Sequence, residues 1–316
     1  MDLRTQAQDH DEINRWIKFG MRLAVSSAFH PFEFAKILMQ LGYEPIPPRP
    51  GRSLLGSPVL VLPNVFQYIR YIKRVDGFAG CFRGLKPKVL GIIVSSIGSE
   101  NITIKFGFGK VYGDEDKDEV ELSDSESRQR FVRRLKRDLV LTVSAVTLAQ
   151  PFQVITVRMM AEFIGNETTY KTIWSSIKEI WNTEGISGFF SGFVPKMLCE
   201  VSIVIIASSV TYIVKRRITR DHEGSDYIGT FTNFAVASFL YPLHVVSTCM
   251  KITGTKMIAG QSPHMPLYSN WMQCWRDLKA TGETKRGSSL FFRKVSVEDA
   301  ARRLCTAWSI KNKLDN

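Results

Sequence analysis

The sequence GFAGCFRGLKPK, Gly77–Lys88, returns later in the chain as GISGFFSGFVPK, Gly185–Lys196. Both copies follow the pattern Gly-x-x-Gly-x-Phe-x-Gly and carry Pro-Lys three residues beyond it. Glycine allows a tight turn, so we predict that each of these glycine boxes joins a short helix to a following helix. The box glycines are Gly77, Gly80, Gly84, Gly185, Gly188 and Gly192. A third, divergent box is assigned to RGSSLFFRK, where Phe292-Arg293 remains and Lys294 replaces the last glycine.

A proline falls late in the apolar segment that precedes each box. It occurs as His30-Pro31-Phe32, Gln150-Pro151-Phe152 and Tyr241-Pro242-Leu243. Proline within a helix kinks it, because the ring removes a hydrogen bond and clashes with the preceding turn. The chain therefore consists of three repeats, each with a kinked helix, a loop, a short amphipathic helix and a glycine box.

Five apolar segments are candidates for spanning a membrane. Leu139–Val157, which extends to Gly165, and Tyr227–Met250 are free of charge and long enough for about 30 Å of hydrocarbon. Gly20–Gly42, Val89–Ile104 and Met197–Val214 contain isolated charges. Each of these three alone would also suit a buried helix of a soluble protein, but together with the repeats they favour a membrane bundle.

Two further segments are not predicted to span. Met257–Trp275 contains prolines and polar side chains that would break a helix in lipid, so we expect a loop and then an amphipathic helix from about Tyr268 to Ala280. The chain beyond Ser289 is too charged for hydrocarbon. Its charges are Arg293, Lys294, Glu298, Asp299, Arg302 and Arg303. A sixth spanning helix is therefore expected to be missing or degenerate.

The composition sets wider limits. The 316 residues include 42 Lys and Arg against 30 Asp and Glu, a net charge of +12, which fits anionic lipid, nucleic acid or acidic substrates alike. The five cysteines form no C-x-x-C pair, so no zinc site or disulfide framework is expected. The acidic N-terminal residues argue against a cleavable presequence. The acidic tract Asp114–Glu126 and the basic run up to Arg137 are either a solvated linker or a docking segment for a charged partner.

The repeats resemble the mitochondrial carrier family over about residues 15–295. The family signature P-x-[DE]-x-x-[KR] is intact only at Pro31–Lys36; the second copy has Gln153 and Thr156, and the third has His244 and Ser247. The tract QLGYEPIPP (Gln40–Pro48) and the sequence SLFFRKV resemble the mitochondrial carrier homologs of the outer membrane. The resemblance implies an all-α membrane protein with a divergent carrier fold.

The repeats and the charged segments divide the chain into seven predicted parts. These are an N-terminal tail at 1–12, repeat 1 at 13–109, an acidic and basic linker at 110–136, repeat 2 at 137–215, a loop at 216–226, a degenerate repeat 3 at 227–295 and a polar C-terminal tail at 296–316.

The resemblance also implies an activity. It is the insertion of α-helical and tail-anchored proteins into the mitochondrial outer membrane, with lipid scrambling and docking of pro-apoptotic BH3 proteins as further roles. The expected partners are such client proteins, membrane lipids and BH3 proteins, with no nucleic acid. The expected location is the outer membrane, with several spans and no cleaved presequence. A receptor-like scaffold is the alternative, and a solute carrier is less favoured.

The residues themselves argue against solute transport. A carrier closes one gate with ion pairs between acids two residues and bases five residues after each proline. Here Glu33 would face Thr156 or Ser247, and Lys36 would face Gln153 or His244, so no such ring can form. No motif of an enzyme active site, metal site or cofactor site is present, so we expect neither catalysis nor a cofactor.

A bundle without a sixth helix would leave the central polar cavity open to lipid. Ionisable and polar residues within the spans are the candidates for lining this groove and binding clients. They are Lys36, Arg158, Glu200, Asn233 and His244. Glu200 is expected to attract Lys36 or Arg158 across the groove. The alternative is local pairing, of Glu33 with Lys36 or of Lys196 with Glu200, at helical spacing.

Overall fold

The computed structural model describes residues 3–52, 58–108, 124–218, 225–262 and 264–295. Most of these residues are helical, as the sequence predicts. The helices are α1 (Leu3–Ala28), α2 (His30–Gln40), α3 (Val65–Gly80), α4 (Leu85–Lys105), α5 (Asp124–Gly165), α6 (Ile173–Glu184), α7 (Phe193–Ile218), α8 (Ser225–Ile252) and α9 (Trp271–Ala280). The prediction for the C-terminal tail at 296–316, and most of the acidic tract, lie outside the described residues.

The helix boundaries add detail to the predicted organisation. α1 begins within the segment assigned to the N-terminal tail, and α5 begins at Asp124, so the basic run forms the first turns of α5. Pro151 and Pro242 lie inside the continuous helices α5 and α8. Pro31 instead lies in the first turn of α2, directly after a break at Phe29, where a proline needs no hydrogen-bond partner for its nitrogen.

Five helical units, α1/α2, α4, α5, α7 and α8, build the bundle. α1 packs against α2 and α4, α4 against α5, α5 against α7, and α7 against α8. α2 also contacts α8, which brings the first and third repeats together. The buried core lies where the kinked helices meet, and it includes Phe34 and Leu38 of α2, Met160 of α5 and Ile252 of α8.

Three helical segments among the described residues are long and apolar enough to cross a membrane. They are Ser125–Gly165, Ile173–Val214 and Ile228–Ile252. No more than 39% of the most apolar 18 residues of each is buried inside the protein. Apolar surface on this scale requires a lipid environment. The segments Gly20–Gly42 and Val89–Ile104 are largely helical as well, but they carry the charges noted above.

The third glycine turn differs from its sequence assignment. Gly282 and Gly287 have φ of 71° and 69°, and they follow the end of α9 as Gly185 follows the end of α6. The turn therefore spans Gly282–Gly287, not Arg286–Lys294. Its first and last glycines are five positions apart, whereas those of the other two boxes are seven apart. The spacing of the first two boxes therefore does not identify the third.

The protein also contains a small sheet that the sequence analysis did not predict. Its first two strands lie in repeat 1, and its third strand follows this glycine turn. β1 (Arg49–Arg52) and β2 (Pro58–Val61) form an antiparallel pair in the loop of repeat 1. β3 (Lys294–Val295) then pairs with β2, with Leu60 opposite Val295. Residues 288–295 thus run onto repeat 1, whereas α4 and α7 begin directly after Gly84 and Gly192.

Candidate functional site

The glycine turn of each repeat is fixed to the kinked helix of the same repeat by one hydrogen bond. The donor is the residue before the proline, and the acceptor is the backbone carbonyl of the residue before the last box glycine. The three bonds are His30 Nε2 to Arg83 O at 2.8 Å, Gln150 Nε2 to Ser191 O at 2.7 Å and Tyr241 Oη to Arg286 O at 2.8 Å. This recurrence identifies Gly287 as the third equivalent of Gly84 and Gly192.

The last glycine of each box also packs against the next repeat. Its neighbour there is the backbone carbonyl of the residue five positions after the proline. A Cβ added to the glycine would lie 3.0 Å from Thr156 O at Gly84, 2.4 Å from Ser247 O at Gly192 and 3.2 Å from Lys36 O at Gly287. The contacts run from repeat 1 to 2, from 2 to 3 and from 3 back to 1. At this end, which we call the box end, the bundle is therefore closed.

Arg158 is held inside the protein and does not reach an open groove. Its side chain is 0% exposed and donates to both carboxylate oxygens of Glu184, at 2.6 and 2.8 Å, and to Lys251 O at 3.0 Å. The arginine fork matches a carboxylate in this bidentate geometry. Glu184 is the last residue of α6, so this pair pins α6 to α5 and α8. The position fits a structural cation, because no part of the side chain is open to a client.

Glu200 and His244 are brought together by the structure. Glu200 of α7 accepts a hydrogen bond from Lys196 Nζ at 2.5 Å, one helical turn away, and its carboxylate lies 3.5 Å from His244 Nε2 of α8. The local pairing alternative is thus the arrangement found for Glu200. Neither expected partner contacts Glu200: Arg158 pairs with Glu184, and Lys36 lies over the ring of Tyr241. In the second local alternative, Glu33 makes its contact ion pair with Lys88 of α4, and Lys36 lies within electrostatic range of Glu33 without contacting it.

Lys36 lies at the same level of the bundle without a carboxylate. Its Nζ sits over the ring of Tyr241, 5.2 Å from the centroid, and it forms no ion pair within the described part of the chain. Lys251, which sequence reasoning did not select, is 5% exposed and donates to Gln153 Oε1 at 3.3 Å. Lys36 and Lys251 therefore make no contact ion pair among the described residues.

Asn233 lies apart from the other predicted groove residues. It is eleven residues before His244 on α8, about 16 Å at 1.5 Å per residue. It borders a cavity of about 230 Å³ between α5, α7 and α8. Other lining residues are Phe131, Arg134, Asp138, Ser208 and Tyr212. The rings of Phe131 and Tyr212 stack at 4.5 Å beside it.

Arg293 fastens the chain after the third turn to repeat 1. The guanidinium is 7% exposed, pairs with Glu44, and donates to Pro63 O at 2.9 Å and Tyr68 Oη at 3.3 Å. Burial is the largest single influence and opposes the charged guanidinium, but the Glu44 carboxylate and the Tyr68 hydroxyl together outweigh it and raise the pKa of Arg293. Burial and the same carboxylate hold the pKa of Tyr68 well above its usual value. The charged pair therefore stays intact at physiological pH.

Three of these partners, Glu184, Lys88 and Lys251, have no direct signal in the sequence. Glu184 lies 26 residues from Arg158, and only its place before Gly185, like that of Asp76 before Gly77, marks it as part of the box. Lys88 is the last residue of the first glycine box, and Lys251 lies in the last turn of α8. Their partners come from other helices, which no periodicity within one helix reveals.

The three cyclic contacts define a threefold repeat protein of the carrier type. The profile of the mitochondrial carrier protein family matches residues 21–99 and 131–222, which include most of the first repeat and all of the second. The chain belongs to the mitochondrial carrier family, in the branch of the mitochondrial carrier homologs. This confirms the resemblance and makes the chain a mitochondrial membrane protein.

Three relatives illustrate the range of similarity. Human mitochondrial carrier homolog 2 is 33% identical over 293 residues, which cover 88% of this chain and 93% of the relative. Mouse mitochondrial carrier homolog 1 is 31% identical over 296 residues, with 86% and 75% coverage. A mitoferrin from Dictyostelium discoideum is 26% identical over 204 residues and covers 61% of each chain. The similarity to the carrier homologs thus includes most of the third repeat.

Proposed function

We propose that this protein inserts α-helical proteins, tail-anchored ones among them, into the mitochondrial outer membrane through a laterally open polar groove. The observation that carries the proposal is the path of the chain after Gly287. Helices α4 and α7 start immediately after the last glycine of their boxes, whereas residues 288–295 are not helical and lead to β3. Within the described part of the chain, residues 288–295 therefore form no second helix of the kind that α4 and α7 provide in the first two repeats.

The surfaces of the bundle suit lipid on one side and polar groups on the other. α1 exposes an apolar stripe with Trp16, Ile17 and Met21, and α8 exposes Phe231 and Phe239. Lys36, Glu200 and His244 lie deeper, at the kinked ends of the helices. A groove of this kind offers polar contacts to one part of a client and lipid to another.

The mechanism needs no covalent chemistry. A client helix must carry its polar flank through the headgroups, and desolvating that flank without partners costs several kcal/mol, about 2–7 per polar group. Polar groove residues replace part of the lost hydration, while the apolar body of the client moves sideways into acyl chains. Lipid headgroups would cross along the same path, so scrambling is part of the proposal.

Two other functions are weaker fits. In a solute carrier, an acid and a base from neighbouring repeats would pair to close one gate. Here Lys36 lies over the ring of Tyr241, and Glu33 forms its ion pair with Lys88. Without a gate of this kind, alternating access lacks its switch. A scaffold for pro-apoptotic BH3 proteins would need no groove. Binding of such partners without any insertion of a client would favour this function.

The test is insertion of a tail-anchored reporter by purified protein in liposomes. We expect protease-protected reporter above the level of protein-free liposomes, and scrambling of labelled lipid in the same vesicles. Glu200→Arg should raise insertion, because the carboxylate that joins Lys196 and His244 across α7 and α8 is lost. Ser95→Ala on α4, away from these charges, should match wild type. Absence of insertion by the purified protein would refute the proposal.

The proposed outer-membrane location has its own test. Protease added to intact mitochondria should cut a loop of this protein while a matrix marker stays intact. Protection of the whole chain until the outer membrane is ruptured would contradict that location.

A further inference from the structure

The kinks of the first helices and the starts of the second helices bring six charged groups to the box end. They are Glu33, Lys36, Lys88, Lys196, Glu200 and Lys251. Lys36 and Lys251 both lie within electrostatic range of Glu33 and Lys196, so the six charges form one cluster. We call this cluster the lysine floor. Four lysines face two glutamates, so the formal charge of the floor is positive.

The two glutamates are already occupied. Glu33 pairs with Lys88, which also donates to Ser26 O at 3.1 Å. Glu200 pairs with Lys196 at 2.5 Å. The excess charge therefore rests on Lys36 and Lys251. Among the described residues these have only the face of Tyr241 and the amide oxygen of Gln153, at 3.3 Å, as polar contacts.

A cation at membrane depth without a carboxylate is costly, so an arriving anion lowers its free energy. Lys36 is the lysine that an arriving anion can contact, because it is only partly buried. Lys251 is 5% exposed, so it can attract the anion only through space. The closed ring of glycine contacts lies at the same level. The end of a polypeptide fits such a closed end of a groove better than a phospholipid, whose phosphate stays tethered to two acyl chains.

We propose that the lysine floor binds the carboxylate groups at the C-terminal end of a client while its helix moves sideways into lipid. This inference rests on the proposed function and adds the chemistry of the client segment that the groove recognises. Each tail-anchored client ends in an α-carboxylate that must cross the hydrocarbon, and the floor supplies the opposite charge. The box end then lies on the side of the membrane that receives the tail of the client.

The experiment compares reporters with one spanning helix and three C-terminal tails, in liposomes of phosphatidylcholine alone. The tails end in two glutamates, two glutamines or two lysines. Wild type should insert the acidic tail roughly tenfold better than the basic tail, because like charges are disfavoured and opposite charges favoured at a desolvated site. Lys36→Gln should remove the preference, and Lys36→Glu should reverse it. Lys279→Glu, an equal charge change on exposed α9, should keep the wild-type ratio.

A second measurement does not depend on a variant folding. A carbodiimide joins a carboxylate directly to an amine that touches it. Treating wild type during insertion should link the C-terminal residue of the acidic reporter to the Lys36 amine, and the link should be absent with the basic reporter when its α-carboxylate is amidated.

The outcomes separate the two ideas. Insertion with the same ratio of tails for wild type and Lys36→Glu, and no link to Lys36, would overturn the lysine floor and leave the insertase proposal standing. If the tail ratio stays constant while Lys36→Glu alters scrambling of an anionic lipid, the floor binds lipid phosphate and the inference about clients is wrong. Absence of insertion for every tail would refute the proposed function itself.

Discussion

Repeats 2 and 3 share their glycine turn and then diverge. In repeat 2, Gln150 bonds Ser191 O and α7 starts at Phe193; in repeat 3, Tyr241 bonds Arg286 O, but the chain continues to β3. The turn and the helix after it are therefore specified separately. Glycines and one hydrogen bond set the turn, while the helix needs the apolar run that follows Gly192 and that the residues after Gly287 lack.

The same two repeats differ in how the short surface helix is held. Seven residues after the proline, repeat 2 has Arg158, which pairs with Glu184, and repeat 3 has the buried Cys249. Repeat 1 has the buried Leu38 at this position. A buried ion pair and an apolar contact can hold similar packing, but only the ion pair leaves an uncompensated charge when one partner is removed.

The largest effect is expected from Arg158→Leu. It should lower the free energy of unfolding by about 3–5 kcal/mol, because Glu184 loses its buried partner. Arg158→Leu with Glu184→Gln should recover much of this loss, since repeats 1 and 3 are apolar here. The readout is thermal unfolding in detergent. Arg83→Leu, which breaks the pair with Asp76, is the matched comparison and should cost less, because Arg83 is 25% exposed whereas Arg158 is fully buried. Equal losses would show that the two repeats do not differ in this way.

Release of the third repeat from repeat 1 is the next largest effect. Arg293→Leu removes charged hydrogen bonds to Glu44 and Pro63 O, each of which is worth about 1.5–3 kcal/mol. Hydrogen exchange should rise at Leu62 and Val295 while α5 and α8 stay protected. Lys294→Gln, at an exposed position of β3 next to Arg293, should leave the exchange unchanged. Protection that survives Arg293→Leu would mean that the strand pairing alone holds the chain.

The glycine turns allow a comparison within one box. Gly185 and Gly192 both have positive φ, but a Cβ meets nothing within 4 Å at Gly185 and lies 2.4 Å from Ser247 O at Gly192. Gly185 has φ of 66° and ψ of −152°, a region essentially restricted to glycine, so Gly185→Ala should cost about 1–3 kcal/mol of backbone strain. Gly192→Ala should cost about 1–3 kcal/mol more, because it pushes the repeats apart. Gly287→Ala, with 3.2 Å to Lys36 O, should fall between them in unfolding measurements. Identical costs would remove the argument for cyclic contacts.

Much of the helical frame could be predicted from the sequence, and contacts between repeats could not. Apolar runs predicted α5 and α8, because length and lack of charge determine a span. The i,i+4 spacing predicted the Lys196–Glu200 pair. The turn at Gly282–Gly287 was missed because two residues are deleted from the pattern, and β3 was missed because two residues carry no periodicity. The Arg158–Glu184 pair depends on how α6 docks, which no local pattern encodes.

The smallest effect concerns the hydrogen bond that identifies the third turn. Tyr241→Phe keeps the ring under Lys36 and removes the hydroxyl that donates to Arg286 O and accepts from Gln40 Nε2. The free energy of unfolding should fall by about 1 kcal/mol, the usual net value of such a bond. Tyr212→Phe is the control, because the Tyr212 hydroxyl makes no hydrogen bond within the described residues while its ring stacks on Phe131. If both substitutions cost the same in thermal unfolding, the bond does not hold the turn, and the equivalence of Gly287 with Gly84 and Gly192 would rest on backbone geometry alone. A loss confined to Tyr241→Phe, with the tail preference of the lysine floor retained, would separate the structural role of this tyrosine from the charge of the neighbouring lysine.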